Sequence, residues 1–236
     1  MNISPSDTTV LLLAAGHGKR MLPLTKDTPK PLLKVNQHSL IEHHLLNLSR
    51  AGFRDIVINV AYLSENIIDS LGDGSRYGVT IEFSDESNTG ALETAGGIKN
   101  ALPLIKSDPF IAVNADIWTD FEFSKLLNDV PEHGRLVMVE NPSHNKKGDF
   151  GIDSNGLLIE DADDESLTYS GIAIYRKKIF DDIALSKSAL APLFRQLIGK
   201  RFLHGTRLTG EWFDIGTPDR LRELRAKVNS QKKNLD

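Results

Sequence analysis

Two glycines, three cations and two widely separated aspartates are the residues of this chain whose types and spacing could do chemistry. Gly16 and Gly18 break the apolar run Val10 to Ala15, Lys19 and Arg20 follow at once, and Lys30 stands further on between Pro29 and Pro31. Glycines let backbone N–H groups approach an anion, because no Cβ stands in the way. Arg offers a planar fork to phosphate oxygens and Lys a compact point charge. Prolines on both sides restrict the backbone at Lys30, so its ammonium is aimed. This set suits the phosphates of a nucleoside triphosphate. A strand ending in Gly-x-Gly also occurs in many α/β proteins without a ligand. The pattern here is neither a Walker sequence nor a full G-x-G-x-x-G, since Met21 stands where the third glycine would be.

The aspartates come from two later segments. Phe110 to Val113 reads as an apolar strand, and the chain runs on through Asn114 and Ala115 to Asp116. The C-terminal edge of an open parallel sheet is where ligands bind. Asp214 lies in Trp212-Phe213-Asp214-Ile215-Gly216-Thr217, an aromatic-flanked strand running into a glycine turn. Two carboxylates on the rim of a phosphate pocket suit Mg²⁺, which prefers oxygen ligands and keeps several waters; each Asp taken singly could equally cap the helix after it. Leu92-Glu93-Thr94-Ala95-Gly96-Gly97 opens a helix whose N–H groups could meet an anion or a base edge, or could simply pack on the sheet. Adjacent His43 and His44 point to different sides of their helix, and the serines lack a G-x-S-x-G elbow. The carboxylate run Asp161 to Glu165 reads as a solvated loop.

The elements that must position these residues alternate. After the opening strand, Ser39 caps a helix with Leu40, Ile41, Leu45 and Leu48 on one stripe, stopped by Gly52. Asp55 to Val60 is a strand. Ser64 is expected to cap a second helix with Leu63, Ile67, Ile68 and Leu71 facing inward, ended by Gly72. Val79 to Phe83 is a strand, Thr94 to Leu102 a short helix. Strands alternating with helices imply βαβ crossovers and a largely parallel sheet. The rhythm changes near residue 131. Arg135 to Val139 is a strand, Asn141 to Asp149 a polar loop, and Asn155-Gly156 a hairpin signal. Gly171 to Tyr175 is a strand, Leu190 to Ile198 a helix, Phe202 to Arg207 and Glu211 to Ile215 strands, and Thr217-Pro218 begins the last helix. The tail from Gln231 to Asp236 is expected to fray.

A chain of 236 residues can bury one sizeable core. Its 40% hydrophobic and 25% charged residues are ordinary for a globular protein. Net charge is −4 with no basic face, so no nucleic-acid partner is expected. No apolar run approaches the ~20 residues that span a membrane, and MNISPSDTT has no signal-peptide pattern. Absence of cysteine excludes disulfides and thiolate chemistry. A cytoplasmic enzyme, monomeric or a small homo-oligomer, is the expectation.

The stretch AAGHGKRMLPLTKDTPKPLL resembles the signature of the sugar-1-phosphate nucleotidyltransferases, LAAGxGxRMxPLT followed by TPKPLL. The resemblance implies an α/β, Rossmann-like mixed, mostly parallel sheet flanked by helices in a single domain. A front half, about 8–130, would bind the nucleotide, and a back half, about 131–230, the sugar phosphate. It implies nucleotide contacts at Ala14, Ala15, Gly16, Gly18, Lys19, Arg20, Glu93, Thr94, Gly97 and Asn114, a catalytic set of Arg20, Lys30, Asp116 and Asp214, and Mg²⁺ on the two aspartates. Sugar contacts fall at Gly148, Asp149, Glu160, Ser170 and Gly171. Two departures stand out: Glu93 replaces the family's glycine, and Glu160-Asp161-Ala162 lacks the lysine of Glu-Lys-Pro. LETAGG, NADIWTD, the Asn141 to Phe150 segment and T-x-S-G-I resemble a narrower subgroup, which uridylylates N-acetylmuramic acid 1-phosphate in cell-wall recycling. Its lactyl carboxylate would need a cation, for which Lys146 and Lys147 are candidates; exposed loop lysines are also commonly only solvated. The substrates implied are UTP and that sugar 1-phosphate. The same chemistry with glucose 1-phosphate and dTTP, or mannose 1-phosphate and GTP, stays open. A non-catalytic nucleotide-sugar sensor is a third reading, against which the intact catalytic set speaks. No appended β-helix acyltransferase domain is expected.

Overall fold

The computed structural model describes residues 3–88, 90–160, 162 and 165–233, with side chains to residue 230. Asp161, Asp163, Asp164 and the tail after 233 lie outside the described residues, so the readings made on them are not addressed. The front of the chain runs β1 (Thr9–Leu13), the short pair β2 (Lys34–Val35) and β3 (His38–Ser39), α1 (Leu40–Arg50), β4 (Asp55–Val60), α2 (Ser64–Leu71), β5 (Thr80–Asp85), α3 (Glu93–Ala101), β6 (Phe110–Asn114) and β7 (Ile117–Thr119). The back runs β8 (Gly134–Val139), the hairpin strands β9 (Gly151–Ile152) and β10 (Leu158–Ile159), β11 (Thr168–Tyr175), α4 (Leu190–Gly199), β12 (Leu203–Arg207), β13 (Trp212–Asp214) and α5 (Pro218–Lys233).

One seven-stranded sheet, ordered β12-β8-β11-β6-β1-β4-β5, passes through both halves. β1 pairs in parallel with β4 and β6, β4 with β5, and β12 with β8. β11 alone runs antiparallel to both its neighbours. Central parallel strands are covered on both faces, which is why β1 is apolar without alternation from Val10 to Leu13. Val10 and Leu12 pack into the layer under α1 and α2, while Leu11 packs into the layer under α3 and α4. A third cluster joins Met21, Leu33, Val35 and Leu40 to Ile215, Leu221 and Leu224. It seats the signature loop and the strand of Asp214 on α5. Each such side chain contributes about 1.5–3 kcal/mol by leaving water, so segments nearly two hundred residues apart in sequence are held as one wall.

The first helix starts as its sequence dictates. Ser39 Oγ accepts from the Glu42 N–H while the Glu42 carboxylate accepts from the Ser39 N–H, a complete capping box. Thr217 Oγ1 likewise accepts from the Arg220 N–H at 3.4 Å at the head of α5. Ser64 is not a cap, contrary to the sequence reading. It is the first helical residue, and Leu63 before it takes a left-handed φ of 51° with no side-chain cap. Among the described residues no helix is long and apolar enough to cross a membrane.

The two histidines do diverge. His43 Nε2 lies 3.0 Å from Val35 O, and fully buried His44 directs Nε2 to Ile117 O at 2.9 Å. Burial pushes His44 down to about 4, outweighing the carbonyl bond that favours its charged form. The folded state therefore holds His44 neutral. Its contribution is present above the ordinary value near 6.5 and is lost as pH falls from there toward 4, by about 1.4 kcal/mol per unit and about 3 kcal/mol in all. Urea midpoints taken at pH 7.5, 5.5 and 4.5 should fall steeply for the native chain. For His44→Gln they should start lower and fall less; equal slopes would rule the histidine out.

Candidate active site

β1 ends in a turn whose backbone faces open space. A Cβ on Gly16 would meet nothing within 4 Å. Gly18 takes φ +60°, and a Cβ there would press on Thr25 and on Lys30 Cβ at 3.1 and 3.2 Å. Thr25 Oγ1 donates to Gly18 O at 2.9 Å, and the Met21 N–H donates to the same carbonyl at 2.8 Å. These bonds fold the loop back so that Lys30 passes beneath the turn. The N–H groups of Gly16 to Lys19 find no acceptor among the described residues. They form a ready seat for an oxyanion.

Lys30 is only 7% exposed, and its Nζ lies 2.5 Å from Asp116 Oδ2. Asp116 follows β6, where the Ala115 N–H donates to Leu13 O and the Ile215 N–H to Asp116 O. The ribbon of β7 and β13 then sets Asp214 opposite Ile117. The aspartates, far apart in sequence, thus stand side by side on one edge. Asp214 Oδ2 accepts from Arg220 Nη1 at 2.5 Å and lies 3.1 Å from His144 Nε2. Among the described residues no three His, Cys, Asp or Glu side chains gather as an all-protein metal cage. Two neighbouring carboxylates with space beside them fit Mg²⁺, which takes few protein ligands and completes its shell with water and phosphate.

Asp116 and Asp214 line two different cavities. The first, about 340 Å³, is lined by Ala14, Ala15, Gly16, Gly18, Lys19, Arg20, Lys30, Glu93, Thr94, Asn114 and Asp116, and also by Gly216. The second, about 630 Å³, is lined by Pro142, His144, Leu208, Trp212, Asp214 and Arg220 among others. The expected nucleotide residues are therefore brought together, with one exception. Gly97 does not line the cavity; a Cβ there would meet Asn59 Nδ2 and Glu86 Oε1, each at 2.8 Å. Its missing side chain makes room for a pair that sequence reasoning passed over. Asn59 Oδ1 accepts from the Ala14 N–H at 2.7 Å and its Nδ2 donates to Glu86 at 2.7 Å; Glu86, 1% exposed, also accepts from the Leu92 N–H. One polar residue inside the apolar run DIVINV was the available signal. Glu93 takes φ +58°, a left-handed conformation costing a side-chain residue roughly 1–2 kcal/mol and glycine nothing, which explains why a glycine serves there in the resembled pattern.

Residues 9–231 match the family model described as Nucleotidyl transferase. The chain belongs to the nucleotidyl transferase family. It is 46% identical to the N-acetylmuramate alpha-1-phosphate uridylyltransferase of Neisseria meningitidis serogroup B over 94% of this chain and 99% of that one. The mannose-1-phosphate guanylyltransferase catalytic subunit beta of Drosophila melanogaster is 32% identical over 89% of this chain and 60% of its own length. Among solved structures, HddC from Yersinia pseudotuberculosis complexed with GMP-PN superposes with a TM-score of 0.78 at 23% identity, covering 94% of this chain and 99% of that one. A putative glucose-1-phosphate thymidylyltransferase from Bacillus anthracis gives 0.80 at 20% identity over 93% and 94%. The expected α/β, mostly parallel fold in one domain is the fold of these solved structures.

None of the expected sugar contacts of this nucleotidyl transferase, Gly148, Ser170 and Gly171 included, lines either cavity. Ser170 and Gly171 form a bulge in β11 where its register to β8 shifts. Gly171 takes φ +81°, and a Cβ there would run into Asn114 Nδ2 at 2.5 Å, so only glycine lets the strand pass the end of β6. Trp212 Nε1 donates to Ser170 O at 2.9 Å, tying this bulge to the second cavity. Asp149 accepts from the Tyr169 N–H and from Asn145 Nδ2, so its carboxylate closes its own loop. Glu160 lies 3.8 Å from Arg195 Nε on the surface, and Lys146 and Lys147 are exposed. Sequence reasoning did not single out His144 or Arg220.

Proposed function

We propose that this nucleotidyl transferase moves a uridylyl group from UTP to N-acetylmuramic acid 1-phosphate, releasing pyrophosphate and the nucleotide-linked sugar, in cytoplasmic recycling of cell-wall sugar. One observation carries the reading of a two-substrate transfer: Asp116 lines one cavity and Asp214 another, and Gly216 of the first lies against Arg220 of the second. The likeness to the Neisseria uridylyltransferase over nearly the whole length of both chains supports the choice of base and sugar.

In this reading the triphosphate lies in the first cavity, with its phosphates on the N–H groups of the Gly16–Gly18 turn. Arg20 holds the departing β- and γ-phosphates. Lys30, fixed by Asp116, faces the α-phosphate. A phosphate oxygen of the sugar 1-phosphate attacks the α-phosphorus in line, and the bond to the β-phosphate oxygen breaks. The nucleophile is already anionic near neutrality, so no general base is required. Catalysis is positioning and charge neutralisation. Asp116 and Asp214 would hold Mg²⁺, which when bound offsets phosphate charge. Glu93, Thr94 and the Asn59–Glu86 wall, which line the same cavity, would meet the base and ribose.

The test is pyrophosphate release with each of four nucleoside triphosphates against N-acetylmuramic acid, N-acetylglucosamine, glucose and mannose 1-phosphates, with and without Mg²⁺. The expected maximum is UTP with the muramic acid ester, and EDTA should suppress it. A maximum with GTP and mannose 1-phosphate or dTTP and glucose 1-phosphate would move the assignment within the family; nucleotide binding without turnover of any pair would return the sensor reading.

A further inference from the structure

The two cavities meet at a second cation that the reading above leaves without a task. Arg220, in the first turns of α5, is largely buried, its side chain 19% exposed. Nη1 reaches Asp214 Oδ2 at 2.5 Å and His144 Nε2 at 2.9 Å. The guanidinium lies across Gly216, where a Cβ would meet Nη2 at 2.4 Å and Cζ at 3.0 Å. Gly216 lines the first cavity and Arg220 the second, so the fork sits at their junction. Its Nη2 and Nε donors find no acceptor among the described residues. Each carboxylate of the edge thus carries its own cation: Lys30 on Asp116 toward the triphosphate cavity, Arg220 on Asp214 toward the other.

We propose that Arg220, with His144 beside it, binds the phosphate of the acceptor and delivers its oxygen to the border of the two cavities. This rests on the transfer reading above and adds a residue for the acceptor. Two phosphates approaching each other repel, and the α-phosphate already has Lys30. A planar fork with unspent donors at the junction suits the second phosphate's paired oxygens. The acceptor's further carboxylate is the other oxyanion such a fork could take. The position over Gly216, a residue of the triphosphate cavity, favours the phosphate.

The variants Arg220→Gln and Arg220→Lys would be compared with the native enzyme on two acceptors with saturating UTP and Mg²⁺: N-acetylmuramic acid 1-phosphate, and N-acetylglucosamine 1-phosphate, which lacks the carboxylate. Arg220→Gln is expected to raise KM about 10- to 100-fold for both acceptors. KM for UTP should change less than 2-fold, and Arg220→Lys should recover part of the loss. Calorimetric titration of metal-free protein with N-acetylglucosamine 1-phosphate should show the same weakening. An unchanged acceptor KM, a loss falling equally on UTP, or a loss confined to the muramic acid ester would overturn the proposal, the last by assigning the fork to the carboxylate. If native enzyme turns over neither acceptor, the transfer reading itself has failed, and the titration still reports whether Arg220 binds a sugar phosphate.

Discussion

Asp116→Asn should lower the rate of pyrophosphate release by about three orders of magnitude or more while the protein stays folded. The amide keeps the shape of the carboxylate and still offers Lys30 Nζ an oxygen, so the hydrogen bond seen at 2.5 Å can persist in weakened form. Asp116 is 38% exposed on its side chain, and water can take up part of the lost charge interaction. The expected stability cost is therefore only about 1–2 kcal/mol. What the amide removes is the negative charge on which both Lys30 and a divalent ion depend. Removing single electrostatic stabilisers from preorganised sites costs about 10²–10³ in rate, and this residue serves two of them. Turnover within tenfold of native, at a melting temperature close to native, would show that the carboxylate is dispensable. Asp214→Asn is expected to fall in the same direction but to disturb Arg220 and His144 as well, so Asp116 is the cleaner position.

Lys30→Met should separate charge from packing. The lysine stem lies in a wall built by Gly18, Thr25 and Pro31, and methionine fills a similar volume. Removing one partner of a buried pair leaves the other charge uncompensated, but Asp116 is 38% exposed and water takes up part of that charge, so the variant should stay folded with a urea midpoint moderately below native. Its kcat should drop by about 10²- to 10³-fold, because the α-phosphate loses the cation aimed at it. KM for the triphosphate should rise less, since Arg20 and the turn N–H groups remain. Lys30→Arg should not restore the rate. A longer planar head cannot occupy a slot where Gly18 already needs φ +60° and no Cβ to let the lysine by. A native kcat in Lys30→Met would remove this residue from the transfer.

Much of the frame was legible in sequence because its causes are local. The apolar runs of β1, β4 and β6 and the capping box at Ser39 each state their conformation within a few residues. The signature loop was legible as a unit, and Ala14, Ala15, Gly16, Gly18, Lys19, Arg20, Lys30, Asn114 and Asp116 do border one cavity. Ser64 misled because a serine before an apolar stripe usually caps, whereas here the chain turns through a left-handed Leu63 and the hydroxyl falls inside the helix. The wall of Asn59 and Glu86 was not legible, since a lone Asn in a strand does not announce a partner 27 residues on. Nor was the cluster of His144, Asp214 and Arg220. His144 and Arg220 are separated by 76 residues, and only the docking of α5 on the signature loop brings them together. Around residues 147–160 the same residue types that could grip hydroxyls instead satisfy their own loops, as Asp149 does with Tyr169 and Asn145.

The central claim is that an oxygen of the sugar phosphate attacks the α-phosphorus of the nucleotide. It is tested most directly by giving the enzyme N-acetylmuramic acid 1-phosphate carrying oxygen-18 at its three non-bridging positions, with unlabelled UTP and Mg²⁺, and weighing both products. Attack at the α-phosphorus predicts a nucleotide sugar that keeps all of the label and pyrophosphate that holds none. Label in the pyrophosphate, or pyrophosphate released without a labelled nucleotide sugar, would contradict it.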